Sequence, residues 1–241
     1  MRLDKFLTAS AVCSRKGAND AVRKGRVLIN GIAPKKADTN VDPTRDTVTF
    51  DGVPVVYREQ HYIMLNKPAG IVSATNAPNE KTVLDLLPEN LRKLPFFPCG
   101  RLDKSTTGFV LLTTDGPLGH RLLSPKHHAP KMYNFTLKFP MSEEERATLE
   151  NGVFLPADSV AEAFTTAPCT VILNDDRMGG TITLTEGKYH QIKRMAEAVH
   201  NQITALCRIS FAGIPLDDTL APGAWRYLSC EEEALLKEAG K

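Results

Sequence analysis

Seven short apolar segments dominate the chain beyond residue 60: "YIMLN", "FVLLTT", "YNFTLKF", "TVILN", "TITLT", "ALCRISF" and "WRYLS". They are rich in β-branched and aromatic side chains and separated by turn-forming residues, which marks them as strands. Helix signals are fewer. "SEEERATLENG" carries Ser142 and Glu145 as a capping box and Gly152 as a stop. "HQIKRMAEAVHN" places Ile192, Met195, Ala196 and Val199 on one face. Many strands interrupted by few helices predict an α+β domain: a large mixed, mainly antiparallel sheet with a few flanking helices.

The first 57 residues read differently. Leu3, Phe6 and Leu7 fit one face of a short helix. Ser14 stands at an N-cap before "RKGANDAVRKG", where Ala18, Ala21 and Val22 repeat the spacing and Gly25 fits a C-terminal stop. Asn30-Gly31 lies between short apolar runs and reads as a hairpin turn. "DTVTFDG" supplies one more strand. "VPVVYREQ" (residues 53–60) is the expected linker, giving a small module at 1–57 and a larger domain at 58–241.

The net charge of +2 hides an asymmetry. Residues 1–36 carry nine Lys or Arg against two Asp, a net of +7, which leaves −5 on the other 205 residues. A basic appendage on a near-neutral body suits a phosphate-rich partner. On charge alone, a solvated charged face is the alternative. No run approaches the roughly 18 apolar residues of a membrane span, and the N-terminus lacks an apolar core before a small-residue cleavage site. The five cysteines are odd in number and never spaced C-x-x-C. That argues against a disulfide framework or zinc site and for a reducing cytoplasm, with most of them small core residues.

Four segments could carry chemistry. In "GRLDKSTTGFVLLTTDG", Gly100 and Gly108 bracket a polar loop before an apolar strand, and Asp115-Gly116 closes the next turn. Asp103, beside Arg101 and Lys104, is a candidate nucleophile, because neighbouring cations keep a carboxylate ionised. Alternatively it accepts hydrogen bonds from Thr106 and Thr107 and shapes the turn. In "TEGKYHQIKRM", Lys193 and Arg194 fall in the first turn of a helix, against the macrodipole. They either serve a carboxylate elsewhere or form an exposed basic end. In "SPKHHAPKMYNFTLKF", adjacent His127 and His128 lack metal-ligand spacing and a carboxylate cluster. Tyr133 in the same segment either packs in the core or stacks on a base. Lys67 in "LNKPAG" points to phosphate or to structure. The tetrapeptide RLDK also opens the chain in "MRLDKFL", where helical spacing puts Asp4 at the solvated start of a helix. No phosphate-binding glycine loop or nucleophile elbow is present, so chemistry without metal or cofactor is expected.

Residues 1–36 resemble the S-four-type RNA-binding domain found on several RNA-modifying and tRNA-charging enzymes. That family sets its second helix and following turn against RNA. By position this implicates Ser14, Arg15, Lys16, Arg23, Lys24, Arg26 and Asn30, with Arg2 beside them. "KPAG", "GRLDKSTTG", "KMY" and "EGKYHQIKRM", in that order behind such a module, resemble the pseudouridine synthases that modify ribosomal RNA. The likeness is greatest to the branch acting on the small-subunit 16S rRNA, with the large-subunit enzymes as the alternative, and it spans nearly the whole chain. It implies a catalytic aspartate at Asp103 and its basic partner at Lys193. It further implies an aromatic at Tyr133 that stacks on the target base and assists proton removal, and an Arg101 that helps hold the base flipped out. Lys67 and Arg194 join the substrate-binding set. Phe109 stands where Leu is commoner in the family, and Lys104-Ser105 fill variable positions.

The implied chemistry suits these residues. Uridine becomes its C-glycoside when N1–C1′ breaks, the base turns and C5 joins C1′. A carboxylate can mediate this by attack at C1′ or at C6, and the sequence does not choose between them. The expected partner is ribosomal RNA in a partly assembled small subunit, engaged by a cytoplasmic monomer with no membrane and no cofactor. A glycosidase or nuclease built on Asp103 would need a second acid, nominally Glu186 or Asp115. A non-catalytic assembly factor would need neither.

Overall fold

The buried faces of two helices organise the N-terminal part of the chain. Leu3, Phe6 and Leu7 of α1 (Leu3–Ala9) pack with Ala18, Ala21 and Val22 of α2 (Arg15–Arg23) in one apolar cluster. The computed structural model describes residues 1–124 and 129–240, and these form two compact units. The first comprises residues 1–61 together with 87–96; the second comprises 62–86 and the chain from 97 onward.

In the first unit the Ser14 side chain caps α2, accepting from the Gly17 N–H at 3.1 Å. Asn30-Gly31 does form a turn, with φ of +51° and +80°, but it closes a single bridge between Ile29 and Ile32. The strand β1 (Val27–Ile29) pairs instead with β2 (Val48–Phe50), and β2 pairs with β3 (Val53–Pro54). The stretch expected as a linker therefore packs on this unit, with Tyr57 stacked on Phe6 at 5.2 Å. A one-turn helix α3 (Glu89–Arg92) joins it from later in the chain, Asn90 donating to the Ala11 carbonyl at 3.0 Å. Asp4 is not solvated. It is 5% exposed, accepts from the Arg2 guanidinium at 2.8 and 3.1 Å, and accepts from the Lys5 N–H at 2.8 Å. The Arg2 hydrogen bond holds its carboxyl below the usual carboxylate range.

The second unit is built on a mixed sheet, in which the seven apolar segments are all strands. They are β4 (Tyr62–Lys67), β6 (Thr107–Thr113), β7 (Lys131–Leu137), β10 (Thr170–Leu173), β11 (Gly179–Leu184), β12 (Ile203–Phe211) and β14 (Trp225–Tyr227). Their order is β10-β11-β7-β12-β6-β4-β14, with β5 (Phe97–Cys99) added to β6 and β13 (Ile214–Pro215) added to β12. Pairing is antiparallel except between β6 and β12. A two-stranded pair, β8 (Phe154–Leu155) and β9 (Phe164–Thr165), stands apart from the sheet.

Ile63, Met64 and Leu65 of β4 and Val110, Leu111 and Leu112 of β6 are buried without alternation, as in strands covered on both faces. Phe109 meets Phe211 edge-to-face at 6.2 Å. Fully burying such a side chain stabilises the fold by roughly 1.5–3 kcal/mol. Of the cysteines only Cys99 is fully buried, while Cys230 is exposed, so most are not core residues.

The two helices with clear sequence signals are present as α5 (Glu143–Asn151), with its Ser142–Glu145 capping box, and α6 (Gln191–Ala198). Two others carried weaker signals. Asp115, read as closing a turn, is the N-cap of α4 (Gly116–Leu123), accepting from the Leu118 N–H at 3.0 Å. At the far end, α7 (Cys230–Ala239) starts from a Ser229–Glu232 capping box and buries Leu236. Among the described residues, no helix is long and apolar enough to cross a membrane.

One close approach fixes the position of the future site. The parallel ladder of β6 and β12 sets Gly108 opposite Arg208, at φ +96°. A Cβ there would lie 2.3 Å from the Arg208 carbonyl oxygen, so only glycine lets the loop before β6 reach β12.

Candidate active site

The loop between Gly100 and Gly108 is pinned through its backbone. Lys67, the last residue of β4, has no exposed surface and donates from Nζ to the carbonyl oxygens of Pro68 (3.1 Å), Asp103 (3.1 Å), Lys104 (3.2 Å) and Thr106 (2.7 Å). Burial pushes its pKa down to about 8, partly opposed by the Asp103 carboxylate. A buried ammonium needs such oxygens in place of water. Lys67 therefore holds the loop and does not reach a phosphate, which corrects its expected substrate-binding role. The Ser73 hydroxyl accepts from the Leu102 N–H at 3.2 Å, and the Thr106 N–H donates to the Asp103 carbonyl at 3.1 Å.

With its main chain held this way, Asp103 turns its carboxylate outward. Oδ2 lies 2.6 Å from Lys193 Nζ and Oδ1 lies 3.5 Å from His190 Nε2. Lys193 also donates to the Ser105 hydroxyl at 3.2 Å. Thr106 bonds the Asp103 backbone and Thr107 donates to the Leu206 carbonyl at 3.4 Å, so neither hydroxyl consumes the carboxylate. Both side chains come from the start of α6, where Lys193 was read as an anomaly against the macrodipole. Its partner explains the placement.

The junction that presents α6 is tied by Gln191, 4% exposed. Its Oε1 accepts from the Lys188 N–H at 2.9 Å, and its Nε2 donates to Glu186 Oε1 at 2.5 Å. Glu186 Oε1 also accepts from the Ala167 N–H at 2.8 Å. His190 sits at the helix start with φ +47°, a left-handed conformation that a non-glycine residue holds only against roughly 1–3 kcal/mol of strain. Sequence reasoning missed both His190 and Gln191. No pattern in "KYHQ" announces a left-handed residue ahead of the helix.

Asp103 and Lys193 line one cleft together with Arg101, Tyr133, Glu186 and His190. Arg101 is exposed; Tyr133, on β7, is 8% exposed, and nothing among the described residues hydrogen-bonds its hydroxyl. Asp115 is elsewhere, accepting from Leu118 and from the Tyr62 hydroxyl at 2.6 Å, so it supplies no second acid. Arg194 does not line this cleft. It turns away from the cleft, donates to the Pro156 carbonyl, lies 3.7 Å from Asp158 and stacks over Phe164 at 5.5 Å.

In the first unit, Arg15 and Lys16 are exposed on α2. Arg23 and Lys24 pair with Asp20 at 2.7 and 2.8 Å, Arg26 pairs with Asp51, and Arg2 with Asp4. The Asp20 and Asp51 pairs are exposed, so a phosphate can take over their cations, whereas the Asp4 carboxylate is buried. Ser14 and Asn30 are both exposed. The Ser14 hydroxyl caps its helix, and Asn30 donates to Asp46 at 2.8 Å and accepts from the Thr47 N–H at 2.9 Å. Both polar groups hold local structure. His127 and His128 lie outside the described residues. Among the described residues, no cluster of His, Cys, Asp or Glu is arranged to hold a metal ion.

A family model described as RNA pseudouridylate synthase matches residues 61–198, and an S4 domain model matches residues 1–46. An uncharacterized RNA pseudouridine synthase of Bacillus subtilis (strain 168) is 47% identical over 242 residues, covering 99% of each chain. The ribosomal small subunit pseudouridine synthase A of Escherichia coli (strain K12) is 39% identical over 97% of this chain and 99% of its own. A crystal structure described as a pseudouridylate synthase superposes with a TM-score of 0.68 at 34% identity, covering 98% of this chain and 99% of that one. The chain thus belongs to the RNA pseudouridylate synthase family.

Proposed function

We propose that this protein converts a uridine of 16S rRNA to pseudouridine, with Asp103 as the nucleophile. The carrying observation is the 2.6 Å pairing of the Asp103 carboxylate with Lys193 in a polar cleft shared with Tyr133 and Arg101. The lysine holds and aims the carboxylate. The aspartate attacks C1′ or C6, the N1–C1′ bond breaks, and the base turns. C5 then bonds to C1′, the bond between Asp103 and the nucleoside breaks to free the carboxylate, and the C5 proton leaves to a general base, which Tyr133 or a water supplies. A uridine in a stem must first leave its stack, which costs a few kcal/mol; stacking on Tyr133 and contact with Arg101 offset part of that.

Residues 1–57 act as the RNA-binding module and 58–241 as the catalytic domain. The +7 charge of the first 36 residues supports this division, since phosphate contacts position a protein on RNA without reading its sequence. Relatives named ribosomal small subunit pseudouridine synthase A, 37–40% identical, support the choice of 16S rRNA. The substrate is the RNA of a partly assembled small subunit, and the enzyme works as a cytoplasmic monomer.

Tritium release from 5-³H-uridine-labelled 16S and 23S transcripts tests the reading. Release from 16S alone is expected, and it should vanish in Asp103→Ala while RNA binding persists. Release from 23S alone would move the substrate to the large subunit. No release from either would overturn the proposal, and undiminished release from Asp103→Ala would overturn the nucleophile.

A further inference from the structure

The Tyr189 ring has no part in the chemistry described above, yet it is built into the same wall. It stacks on His190 with ring centroids 3.9 Å apart and planes 18° from parallel. His190 in turn stands 3.5 Å from Asp103. Tyr189 remains 40% exposed. Its neighbour's left-handed backbone (φ +47°) is what brings two consecutive rings parallel, since successive side chains in extended chain point to opposite sides.

A second depression adjoins the cleft and shares His190 and Lys193 with it; its other walls include Tyr189, Val160 and Arg194. Because the two depressions share His190 and Lys193, an RNA strand that places one nucleotide at Asp103 can set its neighbour against these walls. The depression offers that neighbour an aromatic face, an exposed apolar side chain (Val160, 67% exposed) and the Lys193 cation. That combination suits an unpaired nucleobase, which proteins recognise by stacking on aromatic side chains.

We propose that Tyr189, backed by His190, is a stacking platform for the nucleobase next to the target uridine in unpaired RNA. The proposal rests on the uridine-isomerisation reading for what occupies the Asp103 cleft. The platform orders the flanking nucleotide and leaves the target base to the cleft. It tolerates any base, because every base has a π-face.

Binding of a short oligouridylate and tritium release from the 16S transcript test the platform, using the full chain throughout. Tyr189→Ala should weaken oligouridylate binding roughly ten-fold, as expected for loss of a base–aromatic stack. The dependence of affinity on salt should stay unchanged, because no phosphate contact is lost. Tyr189→Phe and Tyr189→Trp should bind like the parent, and Tyr189→Leu, which keeps bulk without a π-face, should bind like Tyr189→Ala. On the transcript, Tyr189→Ala should raise KM about ten-fold with kcat nearly unchanged. Parental binding by Tyr189→Ala or Tyr189→Leu would overturn the platform. So would a fall in kcat at constant KM, which would instead make Tyr189 a support for His190 at Asp103. If the parent releases no tritium, the isomerisation reading fails, while the oligouridylate series still decides the platform.

Discussion

Lys193 Nζ lies 2.6 Å from Asp103 Oδ2, and the two side chains keep 26% and 27% of their surface exposed. A partly open ion pair contributes little to folding; its use is to aim one carboxylate. Lys193→Met should therefore lower single-turnover tritium release by about 100-fold or more, the scale of losing one preorganised electrostatic group. The thermal midpoint should hardly move, and Lys193→Arg should recover part of the rate. Full activity in Lys193→Met would show the pair to be idle.

Lys67 should behave in the opposite way. Lys67→Met removes a donor from the carbonyls of Pro68, Asp103, Lys104 and Thr106, of which Asp103 keeps the Thr106 N–H and Lys104 keeps the Gly70 N–H. Each unsatisfied buried group costs about 1–3 kcal/mol, offset in part by no longer burying a charge. A net loss of roughly 2–4 kcal/mol in urea unfolding is expected, together with a lowered kcat as the Asp103 loop loosens. A variant as stable as the parent would contradict the stapling role.

Lys131 gives a pH signature. It is 7% exposed, donates to the Ala129 carbonyl at 2.8 Å, and burial pushes its pKa from 10.5 down to about 8. Between those values the unfolded chain binds more protons than the folded one, so this residue makes stability rise with pH. Below about pH 8 the full cost of burying its charge is present, and it fades as pH climbs toward 10.5. Lys131→Met lacks that dependence. The stability of wild type relative to the variant should therefore rise across this window by up to about 3 kcal/mol, read from chemical denaturation at several pH values. A flat difference would mean that Lys131 titrates normally.

The two RLDK aspartates should separate cleanly. Asp4 is buried and accepts from Arg2 and from the Lys5 backbone, so Asp4→Asn should destabilise the first unit by about 1–3 kcal/mol. Activity per folded molecule should survive. Asp103→Asn should abolish tritium release and leave the melting temperature nearly unchanged. The reverse pattern in either variant would exchange their roles.

Much of this protein follows from local sequence. Strand runs, the Ser14 cap, the Ser142–Glu145 box and the apolar face of α6 are set by side-chain period and capping chemistry, which act within a few residues. Those signals also carried the family motifs, and with them the aspartate, the lysine and the tyrosine that line one cleft. Helix α4 was missed because Asp115-Gly116 looks the same whether it closes a turn or caps a helix. Only tertiary packing brought Lys193 to Ser105, 88 residues away, and Lys67 under the Asp103 loop. The same packing buried Asp4, paired β1 with β2 across a long loop, and turned Arg194 toward Asp158. A charged side chain declares its charge in sequence, but burial and its choice of partner depend on groups that only the folded chain brings within hydrogen-bond reach.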